Sequence, residues 1–140
     1  MAISEYGADL MAEVITGQVS VPSNLYLALS TKDITETMDG SDLTEPGGGY
    51  VRRTVAMGNT SWADATNGFC VTTVDIVYPV ATANWGMVTS WALCTTSGVG
   101  TGEIVFYSPF NEPYNIFTHQ QITIEAGALG VGLIQPRRAL

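Results

Sequence analysis

The chain has 140 residues, 46% of them hydrophobic and 13% charged, with 15 glycines and 6 prolines. That composition excludes a disordered or heavily charged helical chain and leaves room for one ordinary domain with a core of its own. A formal net charge of −8 excludes broad contact with nucleic acid and disfavours an anionic membrane surface, and no apolar run approaches the roughly 20 residues that span a bilayer.

The first segment, Ile3 to Thr16, places Ile3, Tyr6, Leu10 and Val14 at helical spacing, with Ser4 as N-cap, acids in the early turns and Gly17 as a stop. The spacing predicts one helix whose apolar stripe, including Tyr6 and Leu10, packs on its own domain or docks on a neighbouring subunit. The same residues lack a basic n-region and carry Glu5 and Asp9 where a signal peptide would be apolar, so synthesis in a cytoplasm without export is expected.

After Asn24 the period changes, and Leu25, Leu27 and Leu29 alternate with Tyr26, Ala28 and Ser30 as a half-buried strand. Asp33 to Gly49 is a long acidic excursion, expected at the surface. It closes on TEPGGGYVRR, where three glycines stand beside two of only five basic residues. No lysine follows and the next segment is a strand, so the glycines read as a hinge with positive φ and not as a phosphate loop.

Tyr50 to Met57 is predicted as a strand with Arg52 and Arg53 on opposite faces, which prevents them from clamping one anion. One of them is expected to pair with nearby carboxylates, either across a subunit boundary or as a solvated pair. Val71 to Tyr78 alternates as a further strand ended by Pro79. Met87 to Cys94 and Glu103 to Tyr107 flank a glycine-rich turn, and Ile116 to Glu125 with Ala128 to Ile134 form a last pair. Seven or eight short strands without alternating helices point to an all-β fold, an antiparallel β-sandwich or jelly-roll-like domain with one N-terminal α-helix. The expected organisation is a single domain over 1–140, with a helical arm over 1–17, the sandwich over 25–134 and a tail over 135–140.

The search for chemistry finds little. His119 is the only histidine, which removes metal motifs built on two, and it reads as a polar strand or loop residue. There is no G-x-S-x-G elbow, and Asp39-Gly40-Ser41-Asp42 lacks the order of an EF-hand. Cys70 and Cys94 read as small buried thiols. No catalytic, metal or cofactor site is therefore expected. Among the aromatics, Trp91 belongs to a core strand, whereas Trp85 and Phe110 are placed on loops as contact residues. Trp62, Trp85 and Tyr114 form the alternative, a platform for host carbohydrate.

Read in order, the opening helix, SNLYLALSTKD, EPGGGYVRRTVAMG, VYPVATANWGMVTSWALCTTSG and EAGALGVGL resemble a family of small tailed-bacteriophage virion proteins described as tail fibre or minor structural proteins. The resemblance implies a virion structural role without catalytic residues. A compact acidic domain suits capsid decoration, a cement bound to the major capsid protein at capsomer junctions on the capsid surface as a trimer; a tail-fibre or baseplate module contacting tail proteins is the alternative. On that reading the helix and the tail, with Arg137 and Arg138, are the arms that hold neighbours.

Overall fold

The computed structural model describes residues 2–132. In chain order they form β1 (Ala2–Ile3), α1 (Glu5–Ile15), β2 (Asn24–Ser30), β3 (Arg53–Ala56), β4 (Phe69–Val71), β5 (Ile76–Val77), β6 (Gly86–Cys94), β7 (Ile104–Ile116), β8 (Thr123–Ile124) and β9 (Gly130–Gly132). Five strands make one sheet in the order β1-β7-β6-β2-β3, and two ribbons, β4 with β9 and β5 with β8, complete an all-β fold in which every pairing is antiparallel.

Period-two alternation decides what lies on each face of the sheet. Leu27 stands opposite Leu93, and Leu29 opposite Trp91. These four join Leu25, Val88, Tyr78 and Ile124 in the main core, which fills the space between sheet and ribbons in the manner of a sandwich. Ala28 and Ala92, paired in the same register, point the other way. Their small side chains let the acidic excursion close over them, so that Leu43, Ile34 and Met38 build a second cluster with Cys94 and Ile104. The excursion is thus a cover with a solvated outer side, anchored by Gly40 N–H on the Gly102 carbonyl at 2.8 Å.

The helix forms where the sequence places it. Ser4 caps it by accepting from Gly7 N–H at 2.8 Å, and Gly17 ends it at φ 78°. A register shift between Leu93 and Cys94 leaves Val105 without a partner on β6. Its carbonyl accepts from Ser4 N–H at 3.0 Å, while the Ser4 hydroxyl donates to the Ile104 carbonyl. Gly7 is the only buried residue of α1, and a Cβ there would strike the Val105 carbonyl. The helix is therefore held tightly at its first turn.

Several strand boundaries and pairings differ from expectation, among them the strand expected over Glu103 to Tyr107, which runs on to Ile116. The predicted strand Val71 to Tyr78 is split between two ribbons, because Thr72 N–H donates to Leu129 and Thr73 N–H to Ser61, so the chain changes partner there. The last two strands do not pair with each other: β8 joins β5 and β9 joins β4. A turn at Phe117–Gln120, with His119 at φ 70°, separates β7 from that return. Finally, β3 begins only at Arg53, since Tyr50 and Arg52 both turn inward.

Candidate interaction surface

The expected hinge is present, with Gly48 at φ 57° and Gly49 at φ 84°. It delivers Tyr50 and Arg52 to a buried node whose third member, Glu45, was expected in a solvated loop. Side-chain exposure is 2% for Glu45 and 0% for Arg52. The carboxylate accepts from Arg52 Nε at 2.8 Å, Arg52 Nη2 at 3.0 Å, Tyr50 Oη at 2.7 Å and Gly100 N at 2.8 Å. Arg52 Nη1 donates to the carbonyls of Thr96 and Thr101, each at 2.9 Å. One ion pair therefore joins the acidic excursion to the hairpin between β6 and β7, with both carboxylate oxygens and all three guanidinium nitrogens engaged. Arg53 lies exposed beside it. The expectation that one arginine pairs with a carboxylate holds for Arg52, but the pair lies inside this chain.

Burial pushes the Tyr50 phenol above its ordinary range, and the adjacent Glu45 charge pushes it further. Tyr78 is raised chiefly by burial, as is the Cys94 thiol, pushed up to about 12. The two hydroxyls stay protonated and fixed, each donating, and Tyr50 Oη also accepting. Tyr78 Oη donates to the Leu27 carbonyl at 2.6 Å, and Tyr50 Oη accepts from Leu29 N–H at 2.9 Å. They satisfy the edge of β2 where β3 has stopped.

Trp85 corrects the sequence reading: it is 4% exposed and is no contact residue. Its ring meets Tyr50 edge-on at 5.6 Å and Tyr78 at 6.2 Å, and Nε1 donates to the Gly48 carbonyl at 2.9 Å. Trp62 is likewise buried, with Nε1 on the Ala56 carbonyl at 3.1 Å. Of the three residues considered for a sugar platform, Tyr114 alone is exposed. Phe110, expected on a loop, lies within β7, half-buried and edge-on to Tyr114 at 5.0 Å.

Two features of the surface carry apolar residues on or beside named elements. On the helix, Leu10 and Met11 pack against the core while Tyr6 and Ile15, the latter 85% exposed, face outward, and Val19 and Val21 in the following segment are exposed as well. The second feature is a groove of about 910 Å³ between the outer half of β7 and the ribbons. Here β7 bulges: Ser90 pairs with Pro109 and Val88 with Tyr114, so the intervening residues Phe110 to Pro113 stand out from the sheet. Arg137 and Arg138 lie outside the described residues. Among the described residues no three His, Cys, Asp or Glu side chains stand close enough to hold a metal ion, and His119 occupies an exposed turn.

Glu45 is the buried ion-pair residue that sequence reasoning misses, and its one signal is a lone acid preceding a hinge that ends in an arginine. A comparison with curated proteins finds no match. The model of the family described as podophage GP4 fiber I protein gp80 matches residues 2–132, the same span that the fold occupies. The chain belongs to that family, one of small tailed-phage virion structural proteins with a tail-fibre description.

Proposed function

We propose that the protein serves the virion as a structural component of its fibre, working through protein–protein contact and performing no bond-making or bond-breaking. The family match over residues 2–132 carries this reading. The surface supports it: Ile15 at the end of the helix and Val19 and Val21 just after it are exposed apolar residues, which suits a segment that docks on a neighbour. The partner of that face is a second copy of the chain or an adjoining tail protein, with a trimer as the expected assembly. Light scattering on the purified protein tests the first choice. Ile15→Glu should convert an oligomer to monomers without unfolding it, and a wild-type mass equal to one chain would remove the self-docking reading.

Capsid decoration on the major capsid protein is the second reading. It is favoured by a small acidic body whose longest described strand has 13 residues, with no extended shaft among the described residues. The two place the protein differently. Immunogold electron microscopy of virions should label the tail on the first reading, and label spread evenly over the capsid would overturn it in favour of the second.

A further inference from the structure

The groove beside β7 has acidic walls. Glu112 belongs to its β7 side and Glu125, just past β8, to its ribbon side; both are exposed, and no basic residue lines it. Its apolar lining includes Phe110 and Tyr114 from β7 and Phe69 from β4. Pro109 and Pro113 remove two amide donors from β7 along this side, so the groove is better suited to an inserted side chain than to an added strand. A guanidinium carried beside an apolar residue fits such walls, because its planar fork can serve carboxylates from both sides.

The same chain presents that combination at β3. Tyr50 and Arg52 turn inward, which leaves Val51, 46% exposed, and Arg53 facing out. Among the described residues the cations are Lys32, Arg52 and Arg53; Arg52 is committed to Glu45, and Lys32 stands directly before Asp33. Around Arg53, by contrast, the stretch from Pro46 to Ala63 contains no acid, so this is a locally positive strip on an acidic molecule. Among the described residues Arg53 makes no ion pair with either glutamate of the groove. β3 also ends the five-stranded sheet and pairs on one side only, with β2, and such an edge is a ready place for another chain.

Sheet order sets the geometry of the contact. β6 and β2 lie between β7 and β3, so the strip and the groove belong to opposite ends of the sheet, about 14 Å apart at three strand spacings. Joining them links the β3 edge of one copy to the groove of the next. That interface is heterologous, and its repetition closes a ring or extends a filament.

We propose that the chain assembles head to tail, with Arg53 of one copy between Glu112 and Glu125 of the next and Val51 against Phe110 and Tyr114. The contact goes beyond the docking of the helix face and uses none of its residues. It sets the cation of one acidic copy against two carboxylates of its neighbour, so salt weakens it.

Sedimentation velocity of the full-length protein over a concentration series at low ionic strength tests this. Arg53→Glu should raise the dissociation constant roughly ten- to hundred-fold, the scale of two ion pairs turned into two repulsions. Glu112→Arg with Glu125→Arg should do the same, and circular dichroism should show both variants folded, since all three side chains are exposed. Mixing the two variants should give complexes containing both in equal amounts, and a chain with all three reversals should associate with itself again. A wild-type protein that stays monomeric throughout would overturn the proposal, while a structural role in the virion would still stand or fall by the protein's presence in particles. Assembly lost in Ile15→Glu but kept in Arg53→Glu would assign the contact to the helix and overturn this interface. Variants that remain separate on mixing would overturn the pairing of Arg53 with the two glutamates.

Discussion

Replacing Glu45 by alanine should be among the most destabilising single changes in the molecule. The substitution removes the partner of an arginine whose side chain has no exposure, and it deprives Tyr50 and Gly100 of their acceptor. Arg52 would keep its bonds to Thr96 and Thr101 but lose both to the carboxylate. Removing one member of a buried ion pair costs about 3–5 kcal/mol, against a total stability of about 5–15 kcal/mol for a domain. Urea denaturation followed by circular dichroism should show a loss in that range with an unchanged slope, and the thermal midpoint should fall by about 10–15 °C. The double variant Glu45→Leu with Arg52→Met should be more stable than Glu45→Ala, because no buried charge is stranded. A cost below about 1 kcal/mol for Glu45→Ala would refute the reasoning, since that is the scale of a solvated pair.

Gly7→Ala should destabilise the fold by about 1–3 kcal/mol through collision with the Val105 carbonyl, measured by the same denaturation. Ile15→Ser, at an 85% exposed position, should change the stability of the isolated chain by less than about 0.5 kcal/mol. Stability should also fall on the alkaline side. Cys94 ionises at about 9 when unfolded and about 12 when folded, so the unfolded chain sheds its proton first. Its contribution is complete below pH 9 and is lost as pH rises toward 12, at about 1.4 kcal/mol per pH unit, with Tyr50 and Tyr78 adding in the same direction. A thermal midpoint that stays flat from pH 8 to 11 would contradict this. Iodoacetamide should correspondingly modify half-buried Cys70 well before Cys94 in the folded protein.

Local signals in the sequence specify local features of this fold. Ser4, Gly17, Gly48 and Gly49 each appear with the geometry their chemistry requires, because caps and positive-φ hinges depend on a few neighbouring residues. The alternation of Leu25, Leu27 and Leu29 likewise marks its strand and its core face. Pairing is less legible. The run Val71 to Tyr78 alternates as one strand, yet its partners change at Thr72 and Thr73, and nothing within eight residues records which distant carbonyls will be adjacent.

The same limit explains the candidate residues. Trp85 lies in a glycine-flanked stretch that reads as a loop, and only the approach of Gly48, 37 positions away, gives its indole an acceptor and a buried setting. Glu45 reads as one more acid in a solvated run. Its burial comes from Arg52, Tyr50 and the distant Gly100 closing on it together. Phe110 and Tyr114 were recognisable as aromatic contact candidates, but the bulge that lifts them from the sheet depends on a register mismatch with β6.

Quantitative mass spectrometry of purified virions tests the structural assignment most directly. The protein should be present in every preparation at a fixed ratio to the tail proteins, amounting to a few copies or small multiples of three per particle. Its absence from particles that are complete and infectious would contradict a structural role.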